Sequence, residues 1–133
     1  MGSWHEAQVR VRFEETDMMG VVYYSKFLVW FEVGRVSLLR DKGLPYKELS
    51  AEGIGLPVVQ AHADYQAPAR FDDELLVKTR IKEMGTTSVT FENEVYRLPG
   101  RELLCTGHTV HVVVGKDGRP MPIPEALRAR LSA

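Results

Sequence analysis

The chain has one cysteine, Cys105, and no apolar run long enough to form a membrane-spanning helix. A single thiol cannot close an internal disulfide, so the expected setting is the reducing cytoplasm. Cys105 stands in a strand-like run, Leu103-Leu104-Cys105-Thr106. Free cysteine in such a place packs as a small hydrophobe more often than it serves as a nucleophile. Charge of either sign is not in excess. The formal net charge is −1, which gives no bulk attraction to nucleic acid or to a membrane surface. The opening residues, Met-Gly-Ser-Trp-His-Glu, lack a basic cluster and an apolar stretch, so no signal peptide is expected. Gly-x-Ser-x-Gly, a phosphate loop and a dinucleotide fingerprint are all missing. Of the four histidines, His5, His62, His108 and His111, no pair has metal-ligand spacing with a third partner, so no metal site is expected.

What is present is an ordinary globular composition. The 133 residues are 44% hydrophobic and 26% charged. They suggest one domain, residues 1–133, with a real core. From His5 to Glu14 the alternation is clean, with Ala7, Val9, Val11 and Phe13 on one face, as in a half-buried strand. A polar loop, Glu15 to Tyr23, leads into a helix from about Ser25 to Lys42. Ser25 is a credible N-cap, and Gly43 stands where a C′ glycine belongs. The helix begins Phe27-Leu28-Val29-Trp30-Phe31, apolar on nearly every side, which predicts a buried helix. Gly34 in its middle costs about 1 kcal/mol relative to alanine and is best explained by close approach to a sheet.

Tyr46 to Glu52 reads as a short helical turn. Leu56 to Ala67 reads as a second strand, with Val59, Ala61, Ala63 and Tyr65 on one face. Its other face is polar and, on a central strand, would suit a wet cleft, a subunit interface or plain solvent. Strands follow at Glu74–Glu83, Thr87–Arg97 and Glu102–Gly115, and Pro124-Glu125 opens a short terminal helix. Pairing Glu83 with Thr87 across a three-residue loop sets Ile81 opposite Val89, Val77 opposite Asn93 and Lys78 opposite Glu92. Runs of strands beside one buried helix predict an α+β domain, an antiparallel sheet curled around a helix. One helix cannot cover every edge and face of such a sheet, so self-association is expected.

The loop before the helix is the natural place for chemistry. Asp17 has two readings: a carboxylate acting as nucleophile or base, favoured by the nearby helix dipole, or a residue that only orders the loop through an Asx turn. Gly20 allows a positive φ or close approach of a ligand, or is a turn glycine only. The amides from Val22 to Tyr24 would then be exposed donors for a developing oxyanion. Phe27, Trp30 and Phe31 suit the core, with room for one of them to line an apolar ligand site. Lys78, Arg80 and Lys82 form a basic row, read as a solvated face paired with acids or, alternatively, as a site for a polyanionic ligand. Arg70, Arg97, Arg101 and Arg119 are looser candidates for the same role.

Two blocks carry a resemblance. The first is Thr16-Asp17-Met18-Met19-Gly20-Val21-Val22-Tyr23-Tyr24, followed by Phe27 and the helix. The second is Asp64-Tyr65-Gln66-Ala67-Pro68-Ala69-Arg70-Phe71-Asp72-Asp73. Together, and in this order, they resemble the hotdog-fold acyl-CoA thioesterases, specifically the 4-hydroxybenzoyl-CoA thioesterase family and its YbgC-like branch. The resemblance implies a five-stranded antiparallel sheet wrapped around one long helix. It implies dimers whose sheets join edge to edge, often paired into homotetramers, with active sites at the dimer interface. It implies hydrolysis of an acyl-CoA, with coenzyme A as part of the substrate and no metal or redox cofactor. Asp17 aligns with the family's catalytic aspartate, nucleophile or base for water, and the Tyr24 amide with its oxyanion donor. Gly20 belongs to the same catalytic loop, and Val22, Tyr23 and Phe27 would contact substrate. Many YbgC-like relatives carry histidine where this chain has Tyr24, so no histidine role is carried over. The other hotdog plan, a catalytic glutamate on the helix, would have to use Glu32. The alternatives are a non-catalytic acyl-CoA-binding module and a hotdog dehydratase or isomerase. The latter would need a histidine that the loop lacks.

Overall fold

The computed structural model describes residues 2–133. The elements are β1 (His5–Arg10), a 3-10 turn (Phe13–Glu15), α1 (Lys26–Asp41), α2 (Tyr46–Ala51), β2 (Val58–Tyr65), β3 (Glu74–Met84), β4 (Ser88–Arg97), β5 (Glu102–Val112) and α3 (Glu125–Ser132). The five strands form one sheet in the order β1-β3-β4-β5-β2, antiparallel throughout. Register shifts at Ile81/Glu83, Val95/Tyr96 and Val58/Gln60 interrupt the ladders. Each bends its strand and adds twist, and together they curl the sheet around α1.

α1 crosses mainly over β3 and β1. Its contact depends on Gly34, where a Cβ would collide with Thr79 Oγ1 and Val77 Cγ1, so the expected close approach is real. Beneath it, Thr79 Oγ1 donates to Asn93 Oδ1 at 3.0 Å. The buried core falls into two clusters. One gathers at the start of α1 around Phe27, Trp30, Phe31, Val77, Val95 and Leu104. The other gathers at its far end around Leu38, Leu39, Phe91, Val113, Leu127 and Leu131.

The structure corrects five expectations. β1 ends at Arg10 rather than Glu14. The Glu15 carboxylate accepts the Arg12 amide at 2.7 Å and folds the chain into the 3-10 turn, which swings Phe13 outward onto Phe71. α1 is not buried all round: Leu28, Val29 and Val33 are exposed, because the sheet covers only one flank. Ser25 precedes α1 but makes no side-chain cap, since its own backbone is already helical (φ −67°, ψ −18°). β2 is an edge strand, paired only with β5, and is exposed on both faces along most of its length. Finally, β3 and β4 pair two residues away from the expected register: Ile81 faces Phe91, Thr79 faces Asn93, Val77 faces Val95, Lys78 faces Glu94 and Arg80 faces Glu92. The apolar face is kept, because a shift of two preserves sidedness. The shift arises at the hairpin, where a bulge absorbs Lys82 and Gly85–Thr87 form the connection, with the Gly85 amide bonded to the Ser88 carbonyl at 2.9 Å.

Candidate active site

Asp17 opens a tight turn. Its carbonyl accepts the Gly20 amide at 3.0 Å, its amide donates to Val21 O at 2.9 Å, and its Oδ1 accepts the Met19 amide at 2.8 Å. Asp at the first position and Gly at the fourth suit a type I turn, and Gly20 takes the left-handed conformation there, with φ at 80°. A Cβ on Gly20 would meet nothing within 4 Å, so the glycine serves the turn. The Asx bond that sequence reasoning left open therefore exists. It occupies one carboxylate oxygen, and Oδ2 has no hydrogen-bond partner among the described residues. The turn projects two methionines into solvent, Met18 and Met19, at 105% and 83% exposure.

The second block is stitched onto the first. The Val22 amide donates to Ala69 O at 2.8 Å, and Val21 bridges to Arg70. The phenol of Tyr65, at the end of β2, donates to the Tyr24 carbonyl at 2.9 Å. Arg97 organises the loop behind: Nη1 binds Pro68 O at 3.1 Å and Asp73 Oδ2 at 2.8 Å, while Nη2 binds Glu102. Glu102 first and Asp73 second push the Arg97 pKa up. Asp73 also accepts the Arg70 amide at 2.8 Å. The acid and proline of the second block thus shape the loop.

Between the blocks lies an open groove of about 340 Å³, lined by Val22, Tyr24, Phe27, Tyr65, Gln66, Ala67 and Pro68. Phe27 is buried at its base and meets Tyr65 edge-on, with ring centroids 5.5 Å apart. Tyr24 leans on Tyr23 at 4.7 Å and on Tyr65 at 6.5 Å. Of the candidate residues, Val22, Tyr24 and Phe27 line the groove, whereas Asp17, Gly20 and Tyr23 stand outside it. The Tyr23 phenol pKa is raised mainly by the adjacent Tyr24, then by burial and the Asp17 carboxylate.

The backbone donors are fewer than expected. The Val22 amide is taken by Ala69 and the Tyr23 amide by Glu15 O at 2.9 Å, so neither is an exposed donor. The amides of Tyr24 and Ser25 have no acceptor among the described residues. Unpaired amides at a helix start carry the positive end of the dipole.

The remaining candidates are committed elsewhere. Burial, with Asp64 adding to it, pushes the Cys105 thiol up to about 12, so it carries no useful thiolate. His111 is buried, with Nδ1 at 2.9 Å from Leu56 O and Nε2 at 2.8 Å from Thr109 Oγ1. His62 and His108 stack on the opposite face of the sheet from α1, and His5 meets Ser37. Among the described residues, no three His, Cys, Asp or Glu side chains gather as a metal would require. In the basic row, Arg80 pairs with Glu92 at 2.6 Å, and Lys78 and Arg80 both cover Trp4, which favours the paired-face reading. Glu32, the alternative acid, lies outside the groove. Sequence reasoning did not anticipate the Tyr65 hydroxyl or the Arg97–Asp73 brace. The signal that could have pointed to them was the spacing of Tyr65, Pro68 and Asp73 in the second block, through which it resembles the family.

Residues 11–131 match the thioesterase-like superfamily, and the chain belongs to it. It is 37% identical over 87 residues to the acyl-CoA thioester hydrolase YbgC of Escherichia coli O157:H7, covering 65% of each chain. Slr0204, a 1,4-dihydroxy-2-naphthoyl-CoA thioesterase from Synechocystis, is 26% identical and superposes with a TM-score of 0.89 over 98% of this chain and 96% of that one. A 4-hydroxybenzoyl CoA thioesterase mutant, complexed with 4-hydroxybenzoyl CoA, is likewise 26% identical, with a TM-score of 0.87 over 96% and 98% of the two chains. The fold is the hotdog fold, and the chain is a thioester hydrolase. Among the described residues, no helix is long and apolar enough to cross a membrane.

Proposed function

We propose that this chain is an acyl-CoA thioesterase, cleaving a CoA thioester with water to a free acid and coenzyme A. Asp17 acts on the thioester carbonyl, as nucleophile or as base for water, through the oxygen left free by the Asx bond. The Tyr24 amide receives the oxyanion. Val22 and Phe27 form the apolar wall of the acyl site, with Tyr65 and Pro68 opposite. The observation that carries this reading is the meeting of the two sequence blocks around one groove, with a helix-start amide at its edge that has no acceptor among the described residues. Amides held in place before reaction stabilise charge where it develops.

Residues 1–133 work as one domain, with no metal or redox cofactor, in the cytoplasm, without nucleic acid or membrane as partner. The working form is a homodimer or homotetramer. Two features support that. β2 is a free edge with exposed Val58 and Val59, the kind of edge that pairs with another chain. Asp17 and the groove do not share a lining within one chain, which suits a site completed at a subunit interface.

The test is thiol release from acetyl-, hexanoyl-, palmitoyl- and benzoyl-CoA. Asp17→Asn keeps an acceptor for the Met19 amide, so the loop should fold unchanged and only the charge is lost. Turnover should fall about 10²–10⁴-fold. Wild-type turnover in Asp17→Asn would overturn the mechanism. Saturable CoA binding with no thiol release from any of the four substrates would point instead to a non-catalytic acyl-CoA-binding module.

A further inference from the structure

The start of α1 is held in an unusual way. Ser25 supplies no side-chain cap. The peptide between Tyr23 and Tyr24 is fixed by the helix itself, since Tyr23 O accepts the Lys26 amide at 2.9 Å. The next peptide, between Tyr24 and Ser25, is held less well from within. Its carbonyl accepts the Phe27 amide at a long 3.3 Å. Its shorter bond comes from outside the helix, from the Tyr65 hydroxyl at 2.9 Å, 41 residues away in the chain. A trans peptide is planar, and its N–H points opposite its C=O. Pinning the Tyr24 carbonyl therefore sets the direction of the Ser25 amide and stiffens the turn that carries the Tyr24 amide. Both amides lack an acceptor among the described residues.

We propose that Tyr65 is a positioning residue of the oxyanion site, its hydroxyl holding the Tyr24 carbonyl so that the Tyr24 and Ser25 amides face the thioester oxygen together. The inference rests on the thioesterase reading above, with Ser25 as a second donor beside Tyr24. Tyr65 is well placed for the task. Its backbone is anchored in the sheet opposite Cys105, and its ring is braced edge-on by Phe27 and Tyr24. Burial first, then Cys105 and Tyr24, push its pKa up, so the phenol keeps its proton at neutral pH and stays a donor.

The test uses Tyr65→Phe, which keeps the ring contacts and deletes only the hydroxyl. With whichever of the four acyl-CoAs the wild type turns over fastest, kcat should fall about tenfold. KM should stay within about twofold and the melting midpoint should be unchanged, as expected when an interaction with the substrate carbonyl strengthens mainly in the transition state. A second measurement reads the oxyanion site directly. In the slow Asp17→Asn background, the infrared band of the bound thioester carbonyl should move to higher wavenumber when Tyr65→Phe is added, because the carbonyl is less polarised. If Asp17→Asn abolishes turnover while Tyr65→Phe leaves kcat and the carbonyl band at wild-type values, the positioning role is wrong and the thioesterase mechanism stands. If Asp17→Asn itself turns over at the wild-type rate, the underlying mechanism fails first. A rise in KM that accounts for the whole loss would make Tyr65 a binding residue and overturn the proposal.

Discussion

At its C-terminal end, α1 closes with a Schellman motif. The Gly43 amide bonds Arg40 O at 3.0 Å, the Leu44 amide bonds Leu39 O at 2.8 Å, and Gly43 takes φ at 75°. α2 and α3 cover that end, and Arg130 from α3 binds the Gly43 carbonyl at 3.1 Å. Its N-terminal end has none of this closure. Ser25 makes no side-chain cap, two amides have no acceptor among the described residues, and Tyr23, Tyr24, Met18 and Met19 face solvent. The same helix is thus sealed at one end and left open at the other. A sealed end spends its polar groups on itself and gains stability. An open end keeps donors available for a ligand, and its exposed apolar side chains call for a partner.

The contrast predicts that substitutions at the two ends separate activity from stability. The largest effect belongs to Asp17→Asn, with turnover down about 10²–10⁴-fold and the melting midpoint nearly unchanged. Parallel kinetics and thermal melts check both halves. At the sealed end, Leu38→Ala removes a fully packed side chain and should cost about 2–5 kcal/mol. KM of the surviving folded protein should be intact. Denaturant titration beside steady-state kinetics would show whether the ends are independent.

A pH effect should appear at the sealed end too. Burial first, and then the nearby Arg35 charge, lower the His111 pKa to about 4, against a partly opposing hydrogen bond to Leu56. The unfolded chain binds this proton at about 6.5. Above that pH the stability of the neutral, buried ring is fully present. It is lost as pH falls from about 6.5 to about 4, by up to about 3 kcal/mol. Denaturation midpoints across that window should show the slope, and His111→Gln should flatten it. The smallest effect is Gly43→Ala, which forces a left-handed alanine against Arg130. It should cost about 1 kcal/mol with turnover unchanged. Equal loss of turnover in Gly43→Ala and Asp17→Asn would erase the distinction between the ends.

Much of this was legible in the chain because it rests on local rules. The helix and its stop at Gly43, the inward faces of β3 and β4, the packing of Gly34 and the turn at Asp17–Gly20 follow from periodicity and backbone preference. Failures came where a single side chain, a bulge or the place of a strand in the sheet overrode the alternation. Phe13 was expected inward, but the Glu15 carboxylate turned the backbone. The β3–β4 register slipped by two because a bulge costs little and leaves the apolar face intact. The position of β2 was illegible, since an exposed strand and a half-buried one share an alternation.

The sequence by itself determined the element order, the sidedness of the sheet and the two blocks that mark a thioesterase. Side-chain spacing and turn chemistry act within a few residues and can be read in order. Only the tertiary structure decided which amides stay unpaired, which strand lies at the edge, and that Tyr65 reaches the Tyr24 carbonyl. Those depend on contacts between residues far apart in the chain, and no local pattern encodes a distance across a fold.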